Sequence, residues 1–379
     1  MKLLHGGNIY DEKIQKINDK AGEELLDFSA NINPLGMPDR VSQAVVEALP
    51  KVRHYPDPLC RRLKAALAEE YGLPEEYFIC GNGGADLIYR IAYGLRPKKA
   101  LLTAPAFAEY EEALKQVGAR LDFHRMTGDY QVRYDILEQM DASVDVMFLC
   151  NPNNPTGLLI PRELLLRIFA KAQRCGILLV LDECFLDFTG QEEQSLISFT
   201  EQSPCLFILK SFTKMYAMPG IRLGYGISRN RELLEKMEAA GQCWGVSVLA
   251  CEAGIAALKE KEYKEKAVRL VQKERAYLKE ELESAGMRVW NGQADYLFFQ
   301  APGVSDLYDR LLPYGILIRR CGNYRGLDDT YYRIAVKDHK ANRRLAEAFK
   351  ALQSRRPGAD YRDGLSEEEE NSPGMLPRI

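Results

Sequence analysis

The chain has 379 residues, and 51 Lys+Arg against 54 Asp+Glu leave a formal charge of −3, a length that suits two domains sharing a sizeable core. Near-neutral charge without basic tracts argues against a nucleic-acid binder held by phosphate neutralisation, and no apolar run approaches the roughly 18 residues that span a bilayer. Met1 to Gly7 lacks the apolar core of a signal peptide, nine scattered cysteines form no C-x-x-C pair and read as reduced thiols, and four histidines lack metal-site spacing, so a cytoplasmic protein without nucleic acid, membrane or metal is expected.

Residues 1–40 read as an arm: a short helix, then Asp27-Phe28-Ser29-Ala30-Asn31-Ile32-Asn33-Pro34-Leu35-Gly36, dense in turn formers. Short apolar runs then alternate with amphipathic stretches. Phe78–Cys80 precedes a helix from Asp86 to Tyr93, Ala100–Thr103 one from Phe107 to Val117, and Val144–Cys150 one from Arg162 to Arg174. Ile177–Leu181 and Cys205–Leu209 follow. This alternation predicts βαβ units and a mostly parallel sheet over roughly 50–240, with a ligand crevice at the carboxyl ends of its strands. Ser247 to Ala285, almost free of breakers, predicts one long connecting helix. Strand candidates Tyr296–Gln300, Gly315–Arg319 and Tyr331–Val336 and a helix from Lys340 to Leu352 predict a smaller α+β domain. The polar end, with four consecutive glutamates, has little to bury and is expected to be disordered and outside the chemistry. The expected division is an arm (1–40) serving the small domain and the substrate site, a large domain (41–245), a linking helix with a small C-terminal domain (246–353), and a tail (354–379).

Four segments carry chemistry. Asn151-Pro152-Asn153-Asn154-Pro155-Thr156-Gly157 follows a buried strand, Asp182-Glu183-Cys184-Phe185 ends the next, Ser211-Phe212-Thr213-Lys214 ends a third, and Gly220-Ile221-Arg222-Leu223-Gly224-Tyr225-Gly226 adds a cation eight residues after Lys214. Singly they are a turn, a cap and a solvated lysine. Together they match what pyridoxal 5′-phosphate needs: a lysine for its aldehyde, an acid for the ring nitrogen, an amide for the ring oxygen, hydroxyls and an arginine for its phosphate. Cationic neighbours and desolvation favour the unprotonated, attacking form of Lys214.

In these motifs the chain resembles the fold-type-I pyridoxal-phosphate enzymes of the class I/II aminotransferase family over residues 20–353. The resemblance implies an α/β large domain, with a mostly parallel mixed sheet between helices, and a smaller α+β domain. It also implies Lys214 as the Schiff-base lysine, Asp182 at the pyridinium, Asn154 at the ring oxygen, and Ser211, Thr213 and Arg222 at the phosphate. Gly84 and Ala85 would offer N–H groups at a helix N-terminus, Phe107 would stack on the ring, and Tyr55 would reach the phosphate from a second subunit, implying a homodimer. Arg333 would take the substrate α-carboxylate through its fork. One position departs from the pattern: many relatives have tyrosine where this chain has Phe185. Losing that hydroxyl makes the Schiff base more basic and weakens the case for an ordinary transaminase.

Within the family, His5-Gly6-Gly7-Asn8, the Asp27–Gly36 string, Phe185 and Ile318-Arg319-Arg320-Cys321-Gly322-Asn323-Tyr324 resemble the branch that decarboxylates a phosphorylated amino acid for cobalamin synthesis. That implies conversion of L-threonine O-3-phosphate to (R)-1-amino-2-propanol O-2-phosphate, with L-serine O-phosphate as a second substrate. His5, Asn31 and Arg319 would serve the substrate phosphate. The competing expectations are a histidinol-phosphate transaminase and a non-catalytic binder on the same fold. A dehydrogenase is weaker, because no G-x-G-x-x-G follows the first strand.

Overall fold

The structure, a computed structural model, describes residues 5–12, 14, 15 and 25–354. The expected tail beyond Ser354 and the remainder of the arm lie outside the described residues. The arm contributes a two-residue strand, β1 (Leu26–Asp27), and leads into helices α1 (Asp39–Ala48) and α2 (Arg61–Tyr71). A seven-stranded sheet follows: β2 (Phe78–Gly81), β3 (Lys99–Ala104), β4 (Arg120–Arg125), β5 (Val146–Cys150), β6 (Leu178–Asp182), β7 (Leu206–Ser211) and β8 (Gly224–Ile227), in the order β2-β8-β7-β6-β5-β3-β4. Only β8 runs against its neighbours, β7 and β2; the other pairs are parallel. VMFLC, LLVLD and LFILKS, the three central strands, are buried throughout except at Ser211. Such near-continuous apolar runs arise because helices cover both faces. Here these are α3 (Gly84–Leu95), α4 (Ala108–Gln116), α5 (Arg162–Cys175), the single turn α6 (Phe212–Met215) and α7 (Arg231–Ala239).

Two strands of this sheet were absent from the expectation. β4 is the sheet edge and reads RLDFHR, a polar sequence that blunts an edge and hides it from a hydrophobicity reading. β8 carries two glycines for lack of space: a Cβ at Gly226 would lie 2.0 Å from the Phe207 ring, and one at Gly224 only 2.7 Å from the backbone nitrogen of Gly84.

The single connecting helix is corrected to two, α8 (Val248–Ala257) and α9 (Lys261–Ser284). At the break Lys259 and Glu260 N–H groups bond back only three residues, to Ala256 and Ala257. The packing of the two halves explains the interruption. α8 is small and apolar and lies against α1 and α2, so closely that a Cβ on Gly254 would meet Leu63 of α2 at 3.0 Å. α9 is charged, with one buried stripe through Ala267, Val271, Leu278 and Leu282, and packs on the last helix, α11 (His339–Ser354).

The smaller sheet is antiparallel, in the order β12-β13-β10-β9, with β9 (Arg288–Val289), β10 (Tyr296–Gln300), β12 (Arg319–Arg320) and β13 (Tyr331–Ala335). The expected strand Gly315–Arg319 is divided. Its first part, β11 (Ile316–Leu317), pairs in parallel with β1 of the arm, and Arg319 passes to β13. The short helix α10 (Leu307–Leu311) precedes it. No helix among the described residues is long and apolar enough to cross a membrane.

Candidate active site

The carboxyl ends of β2, β3, β5, β6 and β7 open on one edge of the large sheet, where a doubly wound sheet holds its ligands. Asp182, the last residue of β6, is buried; its Oδ2 accepts the Tyr110 hydroxyl at 2.5 Å and its Oδ1 the Cys184 N–H at 2.9 Å. Burial pushes its carboxyl up, and the donors at Cys184 and Tyr110 oppose that. The loop after β5 is fastened on all sides. Asn151 N–H bonds the Asp182 carbonyl at 2.8 Å, and Asn153 Nδ2 bonds the Pro105 carbonyl at 3.2 Å and Thr156 Oγ1 at 3.1 Å. Asn154, buried, accepts at Oδ1 from Arg333 Nη1 at 2.6 Å and from the Tyr324 hydroxyl at 3.2 Å.

Lys214 lies in α6, whose N-cap is Ser211; the Ser211 hydroxyl accepts the Thr213 N–H at 3.2 Å. Burial pushes the lysine ammonium down; Asp295 resists, while Arg333 and Arg222 reinforce it. Its Nζ stands 6.0 Å from the centroid of the Phe185 ring, which is itself edge-on to Tyr296 at 5.0 Å. Near it is a cradle. Gly83, at φ 88°, caps α3 without a side chain, so the N–H groups of Gly84 and Ala85 stay uncapped by any side chain. Arg222 lies against this turn, its Nη2 2.5 Å from where a Gly83 Cβ would be. Ser211 pairs with Gly224, which touches Gly84. Ser211, a guanidinium and a helix N-terminus thus lie together where glycines leave room, a donor set suited to a phosphate. With an acid, an amide and a desolvated amine beside it, the residues fit pyridoxal 5′-phosphate. Phe107, the residue before α4, is edge-on to Tyr110 at 5.6 Å.

The smaller sheet supplies the facing wall. Arg319 and Arg333 stand directly opposite each other on β12 and β13, both at least nine-tenths buried. Arg333 Nη2 bonds the Ser29 carbonyl at 3.0 Å, its Nε has no partner, and Arg319 Nη2 bonds Asn323 at 2.8 Å. The arm threads between the walls: Ala335 N–H bonds the Phe28 carbonyl, and Asn33 N–H bonds the Lys214 carbonyl at 3.2 Å. Asn31 is buried with its Oδ1 unpartnered. His5 pairs through Nε2 with Glu109 of α4 at 2.5 Å, 5.4 Å from the Phe107 ring, and lines with Asn8, Ser29, Tyr308 and Arg319 a cleft of about 430 Å³. Glu111 on the same helix pairs with Arg325 at 2.7 Å. Tyr55 is remote in this chain: it is 79% exposed and stacks on Trp244 at 4.6 Å.

Four residues at the site had no assigned role in the sequence reading. Tyr110 is one helical turn from Phe107, a spacing that put both on one face. Asn33 and Tyr324 lie inside strings already singled out. Asp295, before β10 and fully buried, had no signal at all.

A profile of class I and II aminotransferases matches residues 23–349. The threonine-phosphate decarboxylase of Salmonella typhimurium is 38% identical over 350 residues, covering 91% of this chain and 95% of that one. Among solved structures, the histidinol-phosphate aminotransferase of Clostridium acetobutylicum superposes with a TM-score of 0.83 at 34% identity, covering 87% of this chain and 99% of that one. The L-threonine-O-3-phosphate decarboxylase of Porphyromonas gingivalis gives 0.78 at 26%, covering 87% and 100%. The chain belongs to the class I and II aminotransferase family.

Proposed function

We propose that the protein is a pyridoxal-phosphate-dependent decarboxylase converting L-threonine O-3-phosphate to (R)-1-amino-2-propanol O-2-phosphate, the linker of the cobalamin nucleotide loop, and also acting on L-serine O-phosphate. The observation that carries the substrate class is the register of Arg319 against Arg333. Like charges directly opposite on one face of a sheet repel, so two buried guanidinium groups there suit a ligand with two anionic ends, a carboxylate and a phosphate. The Salmonella relative supports loss of the carboxylate.

Bound pyridoxal 5′-phosphate supplies an electron sink for the pair left at Cα when a bond to it breaks. Gly84 and Ala85 N–H groups, Ser211, Thr213 and Arg222 hold its phosphate. Asp182, kept in place by Tyr110 and the Cys184 N–H, would give its ring nitrogen a negative partner, and Asn154 would serve its ring oxygen. Lys214, whose ammonium is already weakened by burial, would be the amine that bonds its aldehyde, and would be set free when the substrate amine takes its place. Arg333 grips the α-carboxylate while Arg319, Asn31 and His5 hold the substrate phosphate. After CO₂ leaves, Lys214 Nζ delivers the proton that Cα needs.

The exposed apolar side chains Val46, Leu49, Val52, Tyr55, Leu59 and Trp244 support a homodimer in which Tyr55 reaches the neighbouring site. All nine cysteines are free thiols, which suits a reducing cytoplasm. A histidinol-phosphate transaminase is the second reading, favoured by the Clostridium structure. One assay separates the two. Incubation with threonine phosphate alone yields the amino-propanol phosphate and CO₂; turnover that requires 2-oxoglutarate and releases no gas overturns the proposal.

A further inference from the structure

Tyr324 has no task in the scheme above, yet it touches both halves of it. It is buried in the turn that leaves β12, where its N–H bonds the Cys321 carbonyl at 2.9 Å. Its hydroxyl donates to Asn154 Oδ1 at 3.2 Å, and burial pushes the phenol up, so it keeps the proton it donates. The same ring carries Arg319 on its face, the guanidinium carbon 5.3 Å from the ring centroid, a cation–π contact. The two ends of an amide are alike in shape, so the donors around it decide which end faces where. Arg333 Nη1, at 2.6 Å, and the Tyr324 hydroxyl both donate to the oxygen of Asn154, which leaves Nδ2 as the end that serves the ring oxygen of the cofactor. Arg333 must also turn its fork to a substrate carboxylate when one is bound, whereas Tyr324 has no second anion to serve. Phe185 brings no hydroxyl to the site, so the ring oxygen depends on how Asn154 is held.

We propose that Tyr324 is a positioning residue for the reaction: its hydroxyl holds the Asn154 amide with Nδ2 toward the ring oxygen of the cofactor, and its ring seats Arg319 at the substrate phosphate. One side chain thereby spans the cofactor site and the phosphate site. Its hydroxyl acts on the chemical step, through Asn154, and its ring acts on binding, through Arg319. The inference rests on the reading that Asn154 serves the ring oxygen and Arg319 the substrate phosphate.

The test is Tyr324→Phe in the holoenzyme, which removes the hydroxyl and keeps the ring. A donor at the ring oxygen favours its anionic form, so loosening Asn154 should raise the pH midpoint of the visible absorbance of the lysine-bound cofactor by about 0.5 units. In the same variant kcat for threonine phosphate should fall about 10-fold, with KM within about twofold of the parent. Tyr324→Leu, which removes the ring as well, should add about a 10-fold rise in KM; if it does not fold, Tyr324→Met is read by the same criterion. Asn154→Ala should raise the midpoint at least as far as Tyr324→Phe, and combining the two should move it no further. If Asn154→Ala shifts the midpoint, a Phe variant that titrates like the parent, or a double variant that shifts further, overturns the role of the hydroxyl. A Leu variant with the KM of the Phe variant overturns the role of the ring. An Asn154→Ala variant with an unmoved midpoint refutes the assignment of the amide to the ring oxygen, and the proposal with it. The midpoints do not depend on which reaction is catalysed, so a failure of the decarboxylase reading in the CO₂ assay leaves them decisive.

Discussion

Asp182 and Asp295 are both buried acids, one on each sheet, and they are built in opposite ways. Asp182, on the large-sheet wall, receives a phenol and a backbone N–H; Asp295, on the small-sheet wall, receives nothing. The contrast extends to their surroundings. The large-sheet wall is tied down by main-chain bonds through Asn151 and Asn153. The other wall sets two arginines face to face and leaves Arg333 Nε and Asn31 Oδ1 unsatisfied. Unpartnered atoms occur on both walls, Asn151 Nδ2 and Asn153 Oδ1 on the first, but only the second sets buried like charges face to face, an electrostatic cost that anions relieve.

Substitutions on each wall can break that comparison. Lys214→Ala should have the largest effect, a fall in CO₂ release of more than about 10³-fold with loss of the visible absorbance; a coloured, active variant would end the scheme. Asp182→Asn should leave substrate binding nearly intact and lower kcat by about 10²-fold, and an unchanged kcat would show that the large-sheet wall contributes no charge. On the other wall, Arg319→Gln should raise KM for threonine phosphate by about 10- to 100-fold and spare unphosphorylated threonine, whereas Arg333→Gln should weaken both. Equal losses on the two substrates would dissolve the division of labour between these arginines. The smallest effect belongs to Glu109→Gln. His5 holds the Glu109 carboxyl below its ordinary 4.5, so any stability from the pair is complete above that value and is lost as pH falls below it. For a partly exposed pair this is less than about 1 kcal/mol, visible as a parent–variant difference in Tm near pH 7 that vanishes in acid; a difference growing toward low pH would contradict it.

The same asymmetry decides what could be read in the chain. Asn154, Asp182, Lys214 and Arg222 sit in short motifs at the ends of apolar strands, so spacing alone drew them together. Strand β8 escaped because its glycines answer to Phe207 and Gly84, which are distant in sequence. The break after Ala257 escaped because no breaker marks it; two different packing surfaces impose it. Asp295 was invisible for a related reason, since a lone acid before a strand carries no motif and its burial comes from packing of distant segments. Tyr110 was within reach, one turn from Phe107, had the helix face been followed one step further.

The first turn of α4 carries Glu109 and Glu111, and they clasp His5 of the arm and Arg325 of the small-sheet side. The helix N-terminus favours acids at that place, so one turn of helix fastens the seam on both flanks. Both clasps lie near solvent, where added salt screens them. Raising the ionic strength should therefore ease the seam apart and quicken exchange of a doubly charged ligand, while the deeper contacts of Asn154 with Arg333 hold the two halves in register.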